Sequence, residues 1–263
     1  MLAAEKPDCV YIAVLPNDHY RLTMLCLEQG VPVLCEKAMF MSGREAESAF
    51  AKAKEKNVFV MEAMWARFLP PMQKAKRWLE EGRIGKVVLC DTTIGFLAQK
   101  GSENRYHNPA LGAGAAHDIT VYCYELTRYL FPQPIISRYA VAWWEDTGTD
   151  LTDHIILRYA DMTATMTASL GAALDERMII YGEEGRIVIP HPHYSNEAFL
   201  YDVQGGLLEH FQDDTPNGFI FEIQETMDCI RSGKTQSRMV PWADTLECSH
   251  MYDELAQRDG RSF

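Results

Sequence analysis

Three short segments of this 263-residue chain carry side chains suited to acid–base chemistry. They are Leu15-Pro16-Asn17-Asp18-His19, Glu36-Lys37 and Met61-Glu62-Ala63-Met64-Trp65-Ala66-Arg67. Each follows an apolar run. Glu36-Lys37 is the sharpest of the three. A charged pair directly after an apolar strand puts an ammonium at a crevice floor, partly out of water. There its pKa can fall and it can exchange protons with a substrate oxygen. A solvated surface pair is the other reading of the same residues. Asn17 could equally only shape a turn, and His19 only fill a first helical turn.

A second constellation runs Gly112-Ala113-Gly114-Ala115-Ala116-His117-Asp118-Ile119-Thr120-Val121-Tyr122. Small residues leading into a helix let backbone approach a ligand closely. Asp118 and Tyr122 stand four apart and share a helix face. A tyrosine beside a carboxylate and a lysine is a workable acid–base system for alcohol–carbonyl redox chemistry. The competing reading makes Asp118 a cap and Tyr122 a core residue. His117 points off that face and is secondary. His191-Pro192-His193 could suggest a metal, but no acidic or sulfur partner stands at ligand spacing. Trp143-Trp144 reads as sheet packing or an interface. The chain contains no G-x-S-x-G, Walker loop or C-x-x-C.

Parallel strands bring such segments together. Residues 10–15 read as a strand buried on both faces, followed by a helix capped by Asp18 and stopped at Gly30. Residues 31–35 and 58–61 read as two more strands. Between them a helix opens on the capping-box pair Ser42 and Glu45. Strand–helix–strand–helix–strand is a parallel α/β unit, and ligands sit beyond the carboxyl ends of its strands. The pattern changes after about residue 65. A helix over 70–81 and a strand over 86–96 precede an irregular loop over 97–114, a kind of segment that is often functional. A helix over 116–130 follows, then strands at 135–144, 152–159, 162–170, 176–181 and 185–189. Their tight turns predict an antiparallel or mixed sheet. Helices over 218–232 and 242–257 close the chain.

Composition sets the bounds. With 47% hydrophobic and 24% charged residues the chain is globular. Thirty-seven acidic against 25 basic residues, a net charge of −12, argue against a nucleic-acid surface. No apolar run approaches the ~20 residues that span a bilayer. Met1 to Pro7 contain no signal-peptide core. The seven scattered cysteines read as reduced core residues of a cytoplasmic protein.

Together these residues resemble a known family. Val10-Tyr11-Ile12-Ala13 through Pro16-Asn17-x-His19, with Val33-Leu34-Cys35-Glu36-Lys37, is similar to the glucose–fructose oxidoreductase / inositol dehydrogenase / MocA family of NAD(P)-dependent oxidoreductases. Met61-Glu62-Ala63-Met64-Trp65-x-Arg67-Phe68 and Gly112-x-Gly114-Ala115-x-x-Asp118-Ile119-x-Val121-Tyr122 resemble its dimeric dihydrodiol dehydrogenase branch. Glu222-Ile223 to Gly233-Lys234, then Val240-Pro241, also fits.

The resemblance implies an α/β fold: an incomplete doubly wound Rossmann-type parallel sheet over 1–66, then an α+β domain with a large, mostly antiparallel sheet over 67–263. The C-terminal helices could pack back on the first domain. It places the catalytic roles on Lys37, Asp118 and Tyr122, and lines the NAD or NADP site with Leu15, Pro16, Asn17, His19, Glu36, Lys37, Trp65 and Arg67. Ala38 stands where the family's E-K-P motif has proline. The implied substrate is a sugar or cyclic diol, and the implied assembly a homodimer through the C-terminal sheet. The family's G-x-G-x-x-G turn, which cradles the pyrophosphate, occurs nowhere in the 263 residues. Weak cofactor binding is therefore expected, with the strand over 10–15 left as an apolar edge. The rival reading is a truncated, cofactor-less, inactive oligomerising module; a further one is a lyase on the same scaffold.

Overall fold

The computed structural model describes residues 2–101 and 103–261; Met1, Ser102, Ser262 and Phe263 lie outside it. A short helix α1 (Leu2–Glu5) leads into three parallel strands, β1 (Val10–Ile12), β2 (Val33–Glu36) and β3 (Val60–Ala63), in the order β1-β2-β3. Helices α2 (Pro16–Glu28) and α3 (Gly43–Lys56) make the crossovers. Helix α2 does not start from an Asp18 cap. Leu15 is its extended N-cap residue and Pro16 its first helical residue, because proline has a preset φ and no N–H to leave unpaired. Asp18 instead pairs with Arg21 at 2.8 Å. Ser42 does cap α3: its Oγ accepts from the Glu45 N–H at 3.4 Å. The Glu45 carboxylate accepts from the Met41 N–H at 2.9 Å, one residue before the usual capping-box partner.

The second sheet has eight strands: β4 (Val87–Gly95), β5 (Ser137–Trp144), β6 (Asp150–Arg158), β7 (Thr163–Ser169), β8 (Arg177–Gly182), β9 (Gly185–Pro190), β10 (Glu197–Asp202) and β11 (Leu207–Gln212). Their order is β11-β10-β9-β8-β4-β7-β6-β5. Neighbours run antiparallel except β4 and β7, which are parallel. Strands β10 and β11 lie beyond the last strand expected from sequence. Only Ala198 and Leu200 of β10 point into the core, and β11 is an edge strand with no fully buried residue. Neither therefore carries a strong apolar alternation.

Period-2 alternation sets the core elsewhere. Leu157, Ala164, Cys90, Ile180, Ile187 and Leu200 face one another strand to strand, and all six are buried. Helices α4 (Pro70–Glu80) and α5 (Val121–Leu130) pack on this face. The opposite face has no helix packed along it among the described residues; at its β5 edge Arg258 stacks over Tyr139. Two helices close the chain, α6 (Phe219–Arg231) and α7 (Trp242–Arg258). Helix α7 joins the two sheets. On one side the Gly43 N–H donates to Asp253 at 2.9 Å. The Trp242 indole donates to the Val60 carbonyl at 2.9 Å and stacks on Phe50. On the other side Glu254 holds Arg138 of β5.

Candidate active site

Lys37 follows the last residue of β2. Its Nζ donates to the Asp118 carbonyl at 2.6 Å and to the Asp118 carboxylate at 3.3 Å, and lies 4.8 Å from the centroid of the Tyr122 ring. The Lys37 and Asp118 side chains keep 15% and 16% exposure, so the pair is mostly out of water yet reachable. Asp118 sits in the wide turn Ala116–Thr120 that opens into α5, with the Val121 N–H reaching back to the Ala116 carbonyl. Such five-residue turns concentrate at functional sites.

Two glycines fix the approach to this turn. A Cβ on Gly112 would lie 2.9 Å from Pro16 Cβ, and one on Gly114 would lie 2.0 Å from Asp150 Oδ1; both glycines have positive φ. The glycine run thus packs closely on α2 and β6, and Gly112 and Gly114 also border the crevice beside Lys37. His117 is buried, with Nε2 3.3 Å from the Met41 carbonyl.

Tyr122 is nearly buried, and the Trp65 indole N–H donates to its hydroxyl at 3.1 Å. An indole can only donate. The Tyr122 oxygen is therefore the acceptor, and its own proton is left for another group. Burial raises the Tyr122 pKa above the usual phenol value, with Lys37 and the Trp65 hydrogen bond opposing. For Lys37, burial pulls downward, but Tyr122, Asp118 and Glu36 together outweigh it, and its pKa is raised. This corrects the fall expected from sequence: the ammonium is desolvated among anionic and polar partners, which hold its charge.

A crevice of about 250 Å³ opens beside Lys37. Leu15, Pro16, Glu36 and Asp118 line it, as expected, together with Arg105, Tyr106 and Gly112. Trp65 lies on the Tyr122 side, stacked on Phe219 with ring centroids 4.6 Å apart. Glu36 accepts from the Tyr11 hydroxyl and from the Lys37 N–H.

Of the other residues expected to line the cofactor region, two are buried within the protein. His19 is fully buried, its ring nitrogens 2.9 and 3.1 Å from the Ala38 and Val14 carbonyls. It ties together the loops that follow β1 and β2 and presents nothing to the crevice. Burial lowers its pKa, with both carbonyls opposing. Arg67 is also fully buried. Its guanidinium donates to Glu125, to Asp244 at 2.8 Å and to the Met239 carbonyl at 2.9 Å. A buried cation is drawn to buried anions before a crevice. Asn17 is exposed on the first turn of α2 and is not part of the crevice lining.

Arg105 was not singled out in the sequence. It stacks over Tyr106, 4.2 Å from the ring centroid, and pairs with Asp118 at 3.5 Å. The only signal for it was its place in the irregular loop over 97–114. A larger groove, about 480 Å³, runs along the outer edge of β1 between Val10, Val14, Leu22 and Leu25. Its walls are largely apolar, and it meets the crevice at Ala13 and Val14, which border both.

The crevice could hold part of a dinucleotide. It lies at the carboxyl ends of parallel strands, and Lys37 and Arg105 flank it as cations. Leu15, at the α2 N-terminus, puts no capping side chain over the helix's free N–H groups.

Comparison with known proteins identifies the family. Residues 1–64 match the family model described as "Oxidoreductase family, NAD-binding Rossmann fold". Residues 72–188 match "GFO/IDH/MocA C-terminal domain". The chain belongs to the GFO/IDH/MocA oxidoreductase family. Trans-1,2-dihydrobenzene-1,2-diol dehydrogenase of Xenopus tropicalis is 26% identical over 97% of this chain and 79% of that protein. D-xylose 1-dehydrogenase (NADP(+)) of Hypocrea jecorina is 26% identical over all of this chain and 75% of that protein. Among solved structures, aldose-aldose oxidoreductase from Caulobacter crescentus superposes with a TM-score of 0.86 at 21% identity, over 100% of this chain and 80% of that one. The family matches favour an oxidoreductase over an inactive binding module.

Proposed function

We propose that this chain is an NAD(P)-dependent dehydrogenase that interconverts a secondary alcohol and a ketone on a cyclic diol or sugar. The observation that carries the proposal is the meeting of Lys37, Asp118 and Tyr122 at the carboxyl end of β2. The named activities of the diol and xylose dehydrogenases support the substrate class. A nicotinamide bound between Leu15, Pro16 and Glu36 would supply or take the hydride. The protein's part is the proton. In reduction, Tyr122 gives its hydroxyl proton to the ketone oxygen. The Lys37 ammonium beside the ring and the Trp65 N–H on the oxygen stabilise the phenolate that remains. Asp118 holds Lys37 in place and balances its charge. Oxidation runs the same transfer backwards.

The family's glycine turn holds the pyrophosphate through charge-assisted bonds of ~1.5–3 kcal/mol each. Without it in these 263 residues, we expect NADH and NADPH to bind well above low-micromolar Kd. The decisive experiment is turnover of 1,2-cyclohexanediol and D-xylose with millimolar NAD+ or NADP+, comparing wild type with Tyr122→Phe. General acid–base catalysis contributes roughly 10²–10⁴-fold, and Tyr122→Phe should lose at least the lower figure. Equal turnover by wild type and variant would defeat the proposal.

A further inference from the structure

The turn joining β9 to β10 holds an imidazole that no step above uses. His191 sits at φ +45°, a left-handed conformation a non-glycine residue adopts at a cost. It is held there on two sides. Its Nδ1 lies 2.9 Å from the Glu176 carboxylate and 3.0 Å from the Tyr194 hydroxyl. The other Glu176 oxygen accepts from the Gly95 N–H at 3.1 Å, which ties the turn to the end of β4. The Tyr194 N–H closes the turn on the His191 carbonyl at 2.9 Å.

This frame presents His193. Its ring stands edge-on to Tyr194, with centroids 4.4 Å apart, and 5.3 Å from the ring of Tyr122. Its Nδ1 is buried and has no hydrogen-bond partner. A buried polar atom left unpaired is costly, and in a native structure it asks for an explanation. Burial pushes the His193 imidazole down to about 4; Glu176 opposes this, Lys37 and His191 add to it, and Asp118 opposes. Near neutral pH the ring is therefore uncharged, with one donor and one acceptor nitrogen.

We propose that His193 is a substrate-binding residue that hydrogen-bonds the hydroxyl on the carbon next to the one served by Tyr122. The site would thereby favour vicinal diols and sugars over simple alcohols. The inference rests on the reading of Tyr122 as the proton-transfer group. Rings with centroids 5.3 Å apart are close enough to serve oxygens on adjacent carbons of one substrate. An imidazole kept neutral by burial pairs with a hydroxyl as donor or acceptor and adds no charge beside Lys37.

The test compares kcat/KM for 1,2-cyclohexanediol and for cyclohexanol in wild type, His193→Phe, His193→Gln and Tyr122→Phe. In His193→Phe the value for the diol should fall about tenfold further than that for cyclohexanol, the size of one lost hydrogen bond. His193→Gln, which keeps a donor and an acceptor, should recover most of the difference. Equal falls for both alcohols, or no fall, would overturn the inference while a dead Tyr122→Phe left the functional reading intact. An active Tyr122→Phe would instead defeat the functional reading. Binding then decides for His193: its ring proton resonance, assigned by its absence in His193→Gln, should shift on titration with 1,2-cyclohexanediol. A resonance that cyclohexanol moves equally, or that does not move, would overturn the proposal.

Discussion

The raised pKa values of Tyr122 and Lys37 give the active centre a direction. Both groups are protonated at neutral pH, so ketone reduction has its acid ready, whereas alcohol oxidation must wait for a proton to leave. Oxidation should therefore accelerate along an alkaline limb. Lys37→Met removes a cation that favours the Tyr122 phenolate, and the limb should move to higher pH. If Lys37 were itself the only base, the limb would vanish instead, and a pH–rate profile separates the two outcomes. Arg67 makes the opposite kind of prediction. Enclosed with Glu125 and Asp244, it is a structural cation. Removing one partner of such a buried pair typically costs ~3–5 kcal/mol. Arg67→Met should lose stability on that scale in urea unfolding. NADPH affinity per folded molecule should hold at wild-type level; a selective loss of affinity would return Arg67 to the cofactor site.

At the level of elements, helix α6 carries a titration that no motif announced. Glu222 is fully buried and both its carboxylate oxygens lack partners. Burial, aided by the charge of Glu36, pushes its pKa up to about 8. An unfolded glutamate titrates near ~4.3. The folded state thus keeps a proton that the unfolded state releases. The stability contributed by this group is full below the unfolded value and is lost as pH rises towards 8. Glu222→Gln, neutral throughout, should gain over wild type from about pH 4.5 to about pH 8 and then level off. The gain should be on the order of a few kcal/mol. Melting temperatures of both proteins across that range check it, and a constant difference would refute it. Glu222 also shows where sequence reading stops. Periodicity located α6 but not the absence of partners around one of its side chains. Likewise Glu36-Lys37 and the Asp118–Tyr122 spacing were legible because strand ends and helix faces are local properties. The partners of Arg67 lie 58 and 177 residues away, and His193 meets Tyr122 only through the packing of a turn. Strands β10 and β11 escaped for a related reason, since strands at or next to a sheet edge with few buried positions carry little pattern.

The whole molecule is asymmetric across its large sheet. Helices cover the face bearing Leu157, Ile180 and Ile187. The other face presents a row running Tyr139, Ile156, Thr165, Asp91, Ile179, Val188 and Phe199, paired strand to strand from β5 to β10. Trp143 on the same face of β5 is 70% exposed, and Tyr139, Ile156 and Tyr181 are also exposed. Apolar side chains in such number on one bare sheet face usually mark an interface. A sheet face offers a self-complementary surface to a two-fold partner. A stable dimer buries roughly 1,200–2,000 Å² in total, an area that an eight-stranded face can supply. The polar positions Asp91 and Thr165 do not argue against this, because the Thr165 hydroxyl donates to Asp91 at 2.5 Å and the two satisfy each other within the chain. Light scattering at micromolar concentration should therefore give twice the mass of the 29.9 kDa chain. Trp143→Glu should shift the mass towards the monomer, since a charge buried in an apolar interface costs several kcal/mol without a partner. Circular dichroism and the Tyr122-dependent turnover should persist, because Trp143 lies on the far side of the sheet from the helices. A wild-type monomer, or a Trp143→Glu dimer of unchanged affinity, would mean that this face is not where two copies meet.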